Sequence, residues 1–366
     1  MTQVATRTLP AWIVGSSGLL AGELARLIED HPGLHLAGAV SRQGDRVLRE
    51  MHPQLASDLR TMTLAQAAKE LEEVVCSAGP GGDVVLALFL GLPHGHSASA
   101  WMELSSQLGD SAKRVAVVDL SADMRIADPE LFEKHYAMKH PDPAGEQGFV
   151  YGLPEYWKDE IRSARRIAAP GCFATALQLA VLPAAIAGKL DTNSPWILHG
   201  VTGSSGSGIA AKPTTHHPFR HGSYKAYSPA GHRHEAELQQ ALSKWDIEAP
   251  LHFLPHSGPW SRGIHLSASL PLAAEVSAQE IHDLYTNRYT REPFVEVLAL
   301  GSIPELRYVV GSNRASLGIH VRGRVLTVLL AIDNTIKGGS GQALQCMNLM
   351  LGEPENAGLS YSGLGY

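Results

Sequence analysis

Ala11-Trp12-Ile13-Val14-Gly15-Ser16-Ser17-Gly18-Leu19-Leu20-Ala21-Gly22-Glu23-Leu24-Ala25-Arg26-Leu27-Ile28 joins a short apolar run, a glycine and serine turn, and a segment whose apolar residues recur at helical spacing. It reads as strand, Gly-rich turn and helix. A second strand over Leu34–Val40 closes a βαβ unit of about 30 residues, the length such a crossover needs. Apolar runs at residues 83–88 and 115–119, each ending in a polar turn, read as further parallel strands buried on both faces. The expected fold class is α/β, with a Rossmann-type doubly wound N-terminal domain.

Past Pro170-Gly171 the texture changes. A helical pattern over residues 174–187 precedes a strand at 196–199 and then a Gly/Ser/His/Pro-rich stretch, 200–232, of a length usually kept for function. Apolar or alternating segments near 250–254, 262–270 and 317–332, interrupted by a helix around 278–290, predict an α+β domain with a mixed sheet. The amphipathic spacing over 342–351 predicts a last helix that returns to the first domain. The division is 1–170, 171–337, and a C-terminal piece, 338–366, joining the first domain.

Composition narrows the function. At 366 residues and 44% hydrophobic, the chain is long enough for two packed cores and lies outside the range of disorder. Lys and Arg number 30 against 36 Asp and Glu, a formal charge of −6, and no basic tract stands out, so a nucleic-acid surface is not expected. The three cysteines, Cys76, Cys172 and Cys346, are far apart and form no C-x-x-C pair. That spacing argues against a disulfide framework and a thiolate zinc site, and suits a reducing compartment. Met1 to Arg7 hold no apolar signal core, and no stretch of about 20 residues is apolar enough to span a bilayer. A soluble, cytoplasmic protein is expected.

The Gly15-Ser16-Ser17-Gly18 turn sits where small residues let backbone N–H groups approach a phosphate at a helix N-terminus. It is G-x-x-G rather than G-x-G-x-x-G, and a plain turn of an α/β protein would look similar. After the second strand, where an NAD site needs a carboxylate for the ribose 2′-OH, the chain has Ser41-Arg42, suited to a 2′-phosphate. NADP is therefore the expected cofactor; the alternative for Arg42 is a solvated surface charge. Cys172, in Ala169-Pro170-Gly171-Cys172-Phe173, opens the helical pattern, where the helix N-terminus lowers a thiol pKa. It is the candidate nucleophile, against the plain alternative of a core thiol, while Cys76 and Cys346 read as structural. A base is offered by His232 or His234 in Gly231-His232-Arg233-His234-Glu235, and the sequence leaves open which imidazole faces the thiol. His216, His217 and His221 raise a metal cluster as a rival, but no cysteine or carboxylate spacing completes one, and no metal is expected.

In order along the chain, Gly15 to Gly18, Leu92-Pro93-His94-Gly95-His96-Ser97, Val118 to Arg125, Tyr151-Gly152-Leu153-Pro154-Glu155, Pro170-Gly171-Cys172, Gly231 to His234, and Ala331 to Gly338 together resemble the N-acetyl-gamma-glutamyl-phosphate reductase family, which belongs with aspartate-semialdehyde dehydrogenase among the phosphorylating semialdehyde dehydrogenases. The resemblance spans nearly the whole chain. Leu19 stands where a tyrosine is common, Ala21 where a glycine is, and Phe173 where a tyrosine is frequent. The resemblance implies a catalytic and dimerisation role for the second domain and a Cys172 nucleophile. His232 would be the acid/base, with His234 in reserve. It implies NADP at Gly15, Ser16, Ser17 and Gly18, with Ser41 and Arg42 on the 2′-phosphate, Pro93, His94 and Ser121 on the nicotinamide side, and Ser205, Gly206, Gly208 and Asn334 lining the cofactor or active-site cleft. Arg125 and Arg262 are the candidate substrate-binding cations. The implied reaction is reduction of N-acetyl-L-glutamyl 5-phosphate to the semialdehyde, with release of phosphate, in arginine synthesis. The stretch from Thr215 to Pro229 also resembles a branch acting on a glutamyl or aminoadipyl phosphate carried by a small acidic amino-group carrier protein. A homodimer or homotetramer is expected. A cysteine hydrolase or acyltransferase without nicotinamide, and an NADP-sensing regulator, are the rival classes; the Gly15 turn argues against the first, and Cys172 with His232 against the second.

Overall fold

The computed structural model describes residues 8–79, 81–145 and 147–365, so Met1–Arg7 lie outside the described residues. By contact the chain divides into two units. The first takes the described residues up to Ala127, His140–Ala169 and Ser340–Leu359; the second takes Asp128–Lys139, Pro170–Gly339 and the segment from Ser360 on.

In the first unit, β1 (Leu9–Val14), β2 (Leu34–Val40), β3 (Leu86–Leu90), β4 (Val115–Asp119), β5 (Val150–Tyr151) and β6 (Arg166–Ala168) form one parallel sheet in the order β2-β1-β3-β4-β6-β5. Its strands are apolar at consecutive positions because both faces are covered. Ile13, Phe89 and Val118 point to one face, against Leu24, Ile28, Leu344 and Met347 from helices Leu19–Glu29 and Gly341–Leu351. Trp12, Leu88 and Val117 point to the other, against Leu71, Trp101 and Leu104 from helices Leu64–Ser77 and Ser97–Leu108. The sheet is thus doubly wound, as its sequence implies. The third strand begins three residues later than the apolar run suggests, because its ladder is set by neighbours: Leu86 pairs Val115 and Leu90 pairs Val14. Strand order reverses between β1 and β3, the place where open α/β sheets bind ligands beyond their strand ends.

The second unit holds a mixed sheet of β7 (Trp196–Thr202), β8 (Lys225–Ala226), β9 (Leu251–Ser257), β10 (Ile264–Pro271), β11 (Val295–Val297), β12 (Ala315–Arg322) and β13 (Val325–Ile332), in the order β11-β12-β13-β10-β7-β9-β8. The apolar stretch at 317–332 is two strands, folded at the tight Gly323-Arg324 turn, where Gly323 has φ +57. Along β10 burial alternates strictly: Ile264, Leu266, Ala268 and Leu270 are fully buried, and their neighbours are not. Helix Cys172–Ile186, which packs on β10 and β13, is buried at every residue from Phe173 to Ala185. An apolar helix with no polar face belongs inside a core, and each Leu or Val it buries contributes about 1.5–3 kcal/mol. Tyr285 and Tyr289 donate their hydroxyls to the Ala180 and Leu179 carbonyls and tether helix Ala278–Tyr289 to it. The stretch 200–232 is less irregular than its composition suggests. β7 runs on to Thr202, short helical turns occupy Ser204–Ser207, Pro213–Thr215 and His217–Arg220, and β8 pairs with β9.

Candidate active site

In the second unit the thiol comes first. Gly171 is extended (φ −68, ψ 149) and caps a helix whose first residue is Cys172, which is partly exposed. The first-turn N–H groups of a helix have no intrahelical acceptor and carry partial positive charge, so a thiolate is favoured there. Two close approaches frame this residue. A Cβ on Gly338 would lie 2.7 Å from the Cys172 Cβ, so the turn Ile336–Ser340 passes flat against the nucleophile only because Gly338 has no side chain. A Cβ on Gly171 would lie 2.4 Å from His234 Nε2 and 2.8 Å from Glu237 Oε1, and Glu237 Oε2 accepts the Gly171 N–H at 3.0 Å. Gly171 is needed for space, since its φ is ordinary.

The two imidazoles sit in different surroundings. Helix His234–Ser243 opens after a tight turn in which Gly231 N–H donates to Ser228 O, and Glu235 Oε1 accepts the His232 N–H at 2.8 Å. His232 Nδ1 accepts the His234 N–H at 3.2 Å, which leaves the proton of a neutral ring on Nε2. Its ring is wedged among Phe173, Phe253, Tyr227 and His234, with centroids 4.6–5.9 Å away. Burial, with the Arg233 charge adding to it, pulls His232 down to about 4. Burial, with the Cys172 charge adding to it, pushes the Tyr227 hydroxyl up. His234 faces the N-cap of the nucleophile helix; His232 faces aromatic rings.

Ser205, Arg262 and Asn334 come together, but largely to hold the loops of this unit. Ser205 Oγ donates to Ser261 O at 2.7 Å and accepts from Asn334 Nδ2 at 2.9 Å, while Asn334 Oδ1 accepts the Gly263 N–H at 2.7 Å. Gly206 packs by Thr202 and Asn334, and Gly208 ends the turn with φ +78. Arg262 pairs through Nε and Nη2 with the fully buried Asp333, at 3.0 and 2.9 Å, and keeps 29% of its side chain exposed.

In the first unit, Gly15 (φ +89) accepts a conformation that other residues resist, and a Cβ there would lie 2.7 Å from the Gly91 backbone. Ser16 is buried, its hydroxyl donating to Val40 O; Ser17 is exposed; Gly18 caps the helix without a side chain. This bare, close-fitting turn at a helix start suits a pyrophosphate, so the residues present fit a dinucleotide. Ser41 is buried and bonded to Thr61, whereas Arg42 is exposed. Asp45, the first carboxylate after β2, is ion-paired with Arg60.

Beyond β3 and β4 two loops are laced together. His94 Nδ1 accepts the Ala122 N–H, Asp123 accepts the Gly95 and Ala98 N–H groups, and Ser121 donates twice to Asp119. Pro93 is exposed. Burial drives Asp119 up to about 6, against the two Ser121 bonds that lower it. Arg125 is 6% exposed and gives Nε to Ala169 O and Nη2 to Leu120 O. Two of its donors therefore clamp the unit's own backbone. Among the described residues no group of three or more His, Cys, Asp or Glu could hold a metal, and no helix is long and apolar enough to cross a membrane.

Residues 11–164 match the family model described as semialdehyde dehydrogenase, NAD binding domain, and residues 172–334 match semialdehyde dehydrogenase, dimerisation domain. An N-acetyl-gamma-glutamyl-phosphate reductase of Nitrosococcus oceani is 40% identical over 96% of this chain and 98% of its own. The chain belongs to the N-acetyl-gamma-glutamyl-phosphate reductase family of semialdehyde dehydrogenases. By that membership it is an NAD(P)-dependent oxidoreductase, and the first unit is its dinucleotide-binding domain. The reductase of Methanosphaera stadtmanae is 39% identical over 96% of this chain and 97% of its own. A LysW-L-2-aminoadipate 6-phosphate reductase of Deinococcus radiodurans is 36% identical with the same coverage. The crystal structure of aspartate semialdehyde dehydrogenase II from Vibrio cholerae, complexed with ASA, shares the fold with a TM-score of 0.66 at 13% identity, covering 94% of this chain and 98% of that one.

Sequence reasoning passed over Glu237, Asp333, Tyr227 and Gly338. Glu237 had a signal: it lies three residues after His234, on the same helix face. Asp333 and Gly338 lay inside a quoted motif, but nothing local marks one as an anchor or the other as a contact of Cys172.

Proposed function

We propose that this protein reduces the acyl phosphate of an N-blocked glutamate, N-acetyl-L-glutamyl 5-phosphate, to the 5-semialdehyde with NADPH, releasing phosphate. The observation that carries the reading is Cys172 at a helix N-terminus with His234 Nε2 against the preceding glycine. The thiolate attacks the acyl carbon, the carbon–oxygen bond to phosphate breaks, and a Cys172 thioester remains. First-turn N–H groups of the Cys172 helix stabilise the oxyanion; that of Gly171 is already given to Glu237. NADPH, when bound, supplies the hydride that reduces the thioester carbon. The resulting hemithioacetal oxygen takes its proton from the His234 imidazolium; return of that proton breaks the C–S bond, frees the aldehyde and restores the thiolate. The roles of the two imidazoles are thus exchanged relative to the sequence expectation. His232, held neutral among aromatic rings, walls the site.

NADPH over NADH is supported by exposed Arg42 after β2, with Asp45 engaged by Arg60. A neighbour in fold, the Candida albicans aspartate semialdehyde dehydrogenase, was solved with NADP. Gly15 to Gly18 would hold the pyrophosphate, Ser41 and Arg42 the 2′-phosphate, and Pro93, His94 and Ser121 the nicotinamide side. Of the two candidate cations, the partly exposed Arg262 is the one proposed for the substrate's carboxylate or phosphate; Arg125 is buried and gives two of its donors to backbone carbonyls. A homodimer through the half-exposed face of the mixed sheet, where Ile197 and Val325 are exposed, accords with the domain family.

The second reading is a carrier-linked aminoadipyl or glutamyl phosphate. It is favoured by the LysW relatives and by the exposed Ile209, Phe219 and Tyr224, interleaved with exposed Lys212 and Lys225, in the 203–227 stretch. Arg220 does not join that surface, because it is buried and bonded to Ser257 and Gly258. Phosphate-dependent NADP reduction should proceed with N-acetylglutamate semialdehyde. Turnover only with the carrier-linked semialdehyde supports the second reading, and none with either overturns both.

A further inference from the structure

Behind the Gly15 turn of the first unit stands an imidazole that the proposed reaction does not use. His52 ends the short helix Leu48–Met51 and is 4% exposed, and its Nε2 lies 2.7 Å from the Ser16 carbonyl oxygen, 36 residues earlier in the chain. A carbonyl can only accept, so Nε2 carries the proton and donates it. The ring reaches the turn through a gap in helix Leu19–Glu29: a Cβ on Gly22 would lie 2.4 Å from His52 Nδ1 and 2.8 Å from its Cγ. A glycine inside a helix is less favourable than alanine, and what this one admits is the His52 ring. Leu48 and Leu55, buried in the same core cluster as Leu24, hold the segment on both sides, and the Leu55 N–H donates to the His52 carbonyl.

We infer that His52 is a positioning residue for the dinucleotide: it holds the Ser16–Ser17 peptide with its carbonyl turned inward, so that the Ser17 N–H faces outward to a pyrophosphate oxygen. The peptide is planar and trans, so its C=O and N–H point in opposite directions. Fixing one fixes the other. Ser16 does not do this itself, because its own N–H and its hydroxyl both go to the Val40 carbonyl. Ser17 is exposed, and among the described residues no carbonyl or side chain accepts its N–H. Gly15 and Gly18 make room for an anion, but they also leave the turn free to rotate this peptide, and a half-turn would aim the negative end of the carbonyl at the phosphate. His52 removes that alternative before the ligand arrives, which is preorganisation. It acts on the turn's backbone from behind.

The inference rests on the Gly15 turn holding the pyrophosphate, and its test reads binding rather than turnover. On the full chain, NADPH affinity is measured by fluorescence titration. Calorimetry gives the affinity of adenosine 2′-monophosphate, which has the 2′-phosphate but no pyrophosphate. His52→Leu removes the donor and should weaken NADPH about tenfold, the scale of one hydrogen bond, while adenosine 2′-monophosphate stays within about twofold. His52→Gln, whose amide reaches as far as the imidazole Nε2, should restore NADPH affinity to within about threefold of the parent. Gly22→Ala keeps the histidine but pushes its ring from the turn, and should reproduce the His52→Leu loss; it takes the place of His52→Leu if that variant does not fold. The pH profile of Cys172 alkylation by iodoacetamide, followed by mass spectrometry of the Cys172 peptide, should match the parent in each variant.

Equal weakening of both ligands, a His52→Gln loss as large as that of His52→Leu, or a shifted alkylation profile would mean general damage to the fold and overturn the inference. NADPH affinity unchanged in His52→Leu and Gly22→Ala, while Gly15→Ala weakens it, overturns the role of His52 and leaves the Gly15 turn as the pyrophosphate site. Unchanged affinity in all three variants places the pyrophosphate elsewhere and overturns both.

Discussion

Helix Leu19–Glu29 of the first unit and helix Cys172–Ile186 of the second both start at an extended glycine that offers no side-chain cap: Gly18 at φ −74, ψ 155, and Gly171 at φ −68, ψ 149. Around Gly18 the device is mostly local, a bare turn from Gly15 that presents backbone to a ligand. Around Gly171 it is assembled from afar: the carboxylate on its amide comes from 66 residues along the chain, and Gly338 closes on Cys172 from the end of the unit. The first helix start needs only room for an anion. The second needs side chains fixed within tenths of an ångström, which local sequence cannot provide.

The largest effect should fall on the assembled site. Cys172→Ser should cut turnover by about 10⁴ or more while leaving dinucleotide affinity intact, since a serine hydroxyl is not ionised near neutral pH. Turnover in that variant within a factor of ten of the parent would remove the covalent route and, with it, the contrast between the two helix starts.

Next come the imidazoles. His234→Asn should lower turnover by about 10²–10³, and His232→Asn by no more than about tenfold. The reverse ranking, read from kcat, would return the acid/base role to His232.

On the local side, Gly15→Ala forces a Cβ at positive φ against the Gly91 backbone, and should weaken NADPH binding about tenfold or more. The Cys172 alkylation profile of that variant should match the parent; a shifted profile would show that the two devices are not independent. Arg42→Ala should reduce the NADPH to NADH preference in kcat/KM by about tenfold, the scale of one charge-assisted contact of about 1.5 kcal/mol. An unchanged ratio would place the 2′-phosphate elsewhere.

A smaller effect separates the imidazoles by stability. His232 has a folded pKa near 4, below its unfolded value of 6.5, so between these pH values the unfolded chain binds a proton that the folded chain does not. Stability from this group is complete above pH 6.5 and is lost as pH falls toward 4, by about 3 kcal/mol in all. The fall in denaturation midpoint between pH 7 and pH 4.5 should therefore be shallower in His232→Asn than in the parent; equal slopes would mean that the buried ring is not neutral.

The sequence by itself determined the doubly wound sheet, because strands buried on both faces must be apolar at successive positions and a helix must show one apolar stripe; Leu34–Val40 and Val115–Asp119 are where the pattern placed them. It also marked the Gly15 turn, the thiol at a helix start and the paired histidines, since each is a contiguous motif. What only the tertiary structure decided is every relation across the chain. That Arg125 gives two of its donors to the Ala169 and Leu120 carbonyls, that Asn334 and Ser205 fasten loops, and that His234 rather than His232 turns to Gly171 are all matters of which side chain a fold brings within hydrogen-bonding reach. Periodicity fixes the face of an element that is buried, but the neighbour it meets there depends on strand order and register, which are set by contacts distant in sequence.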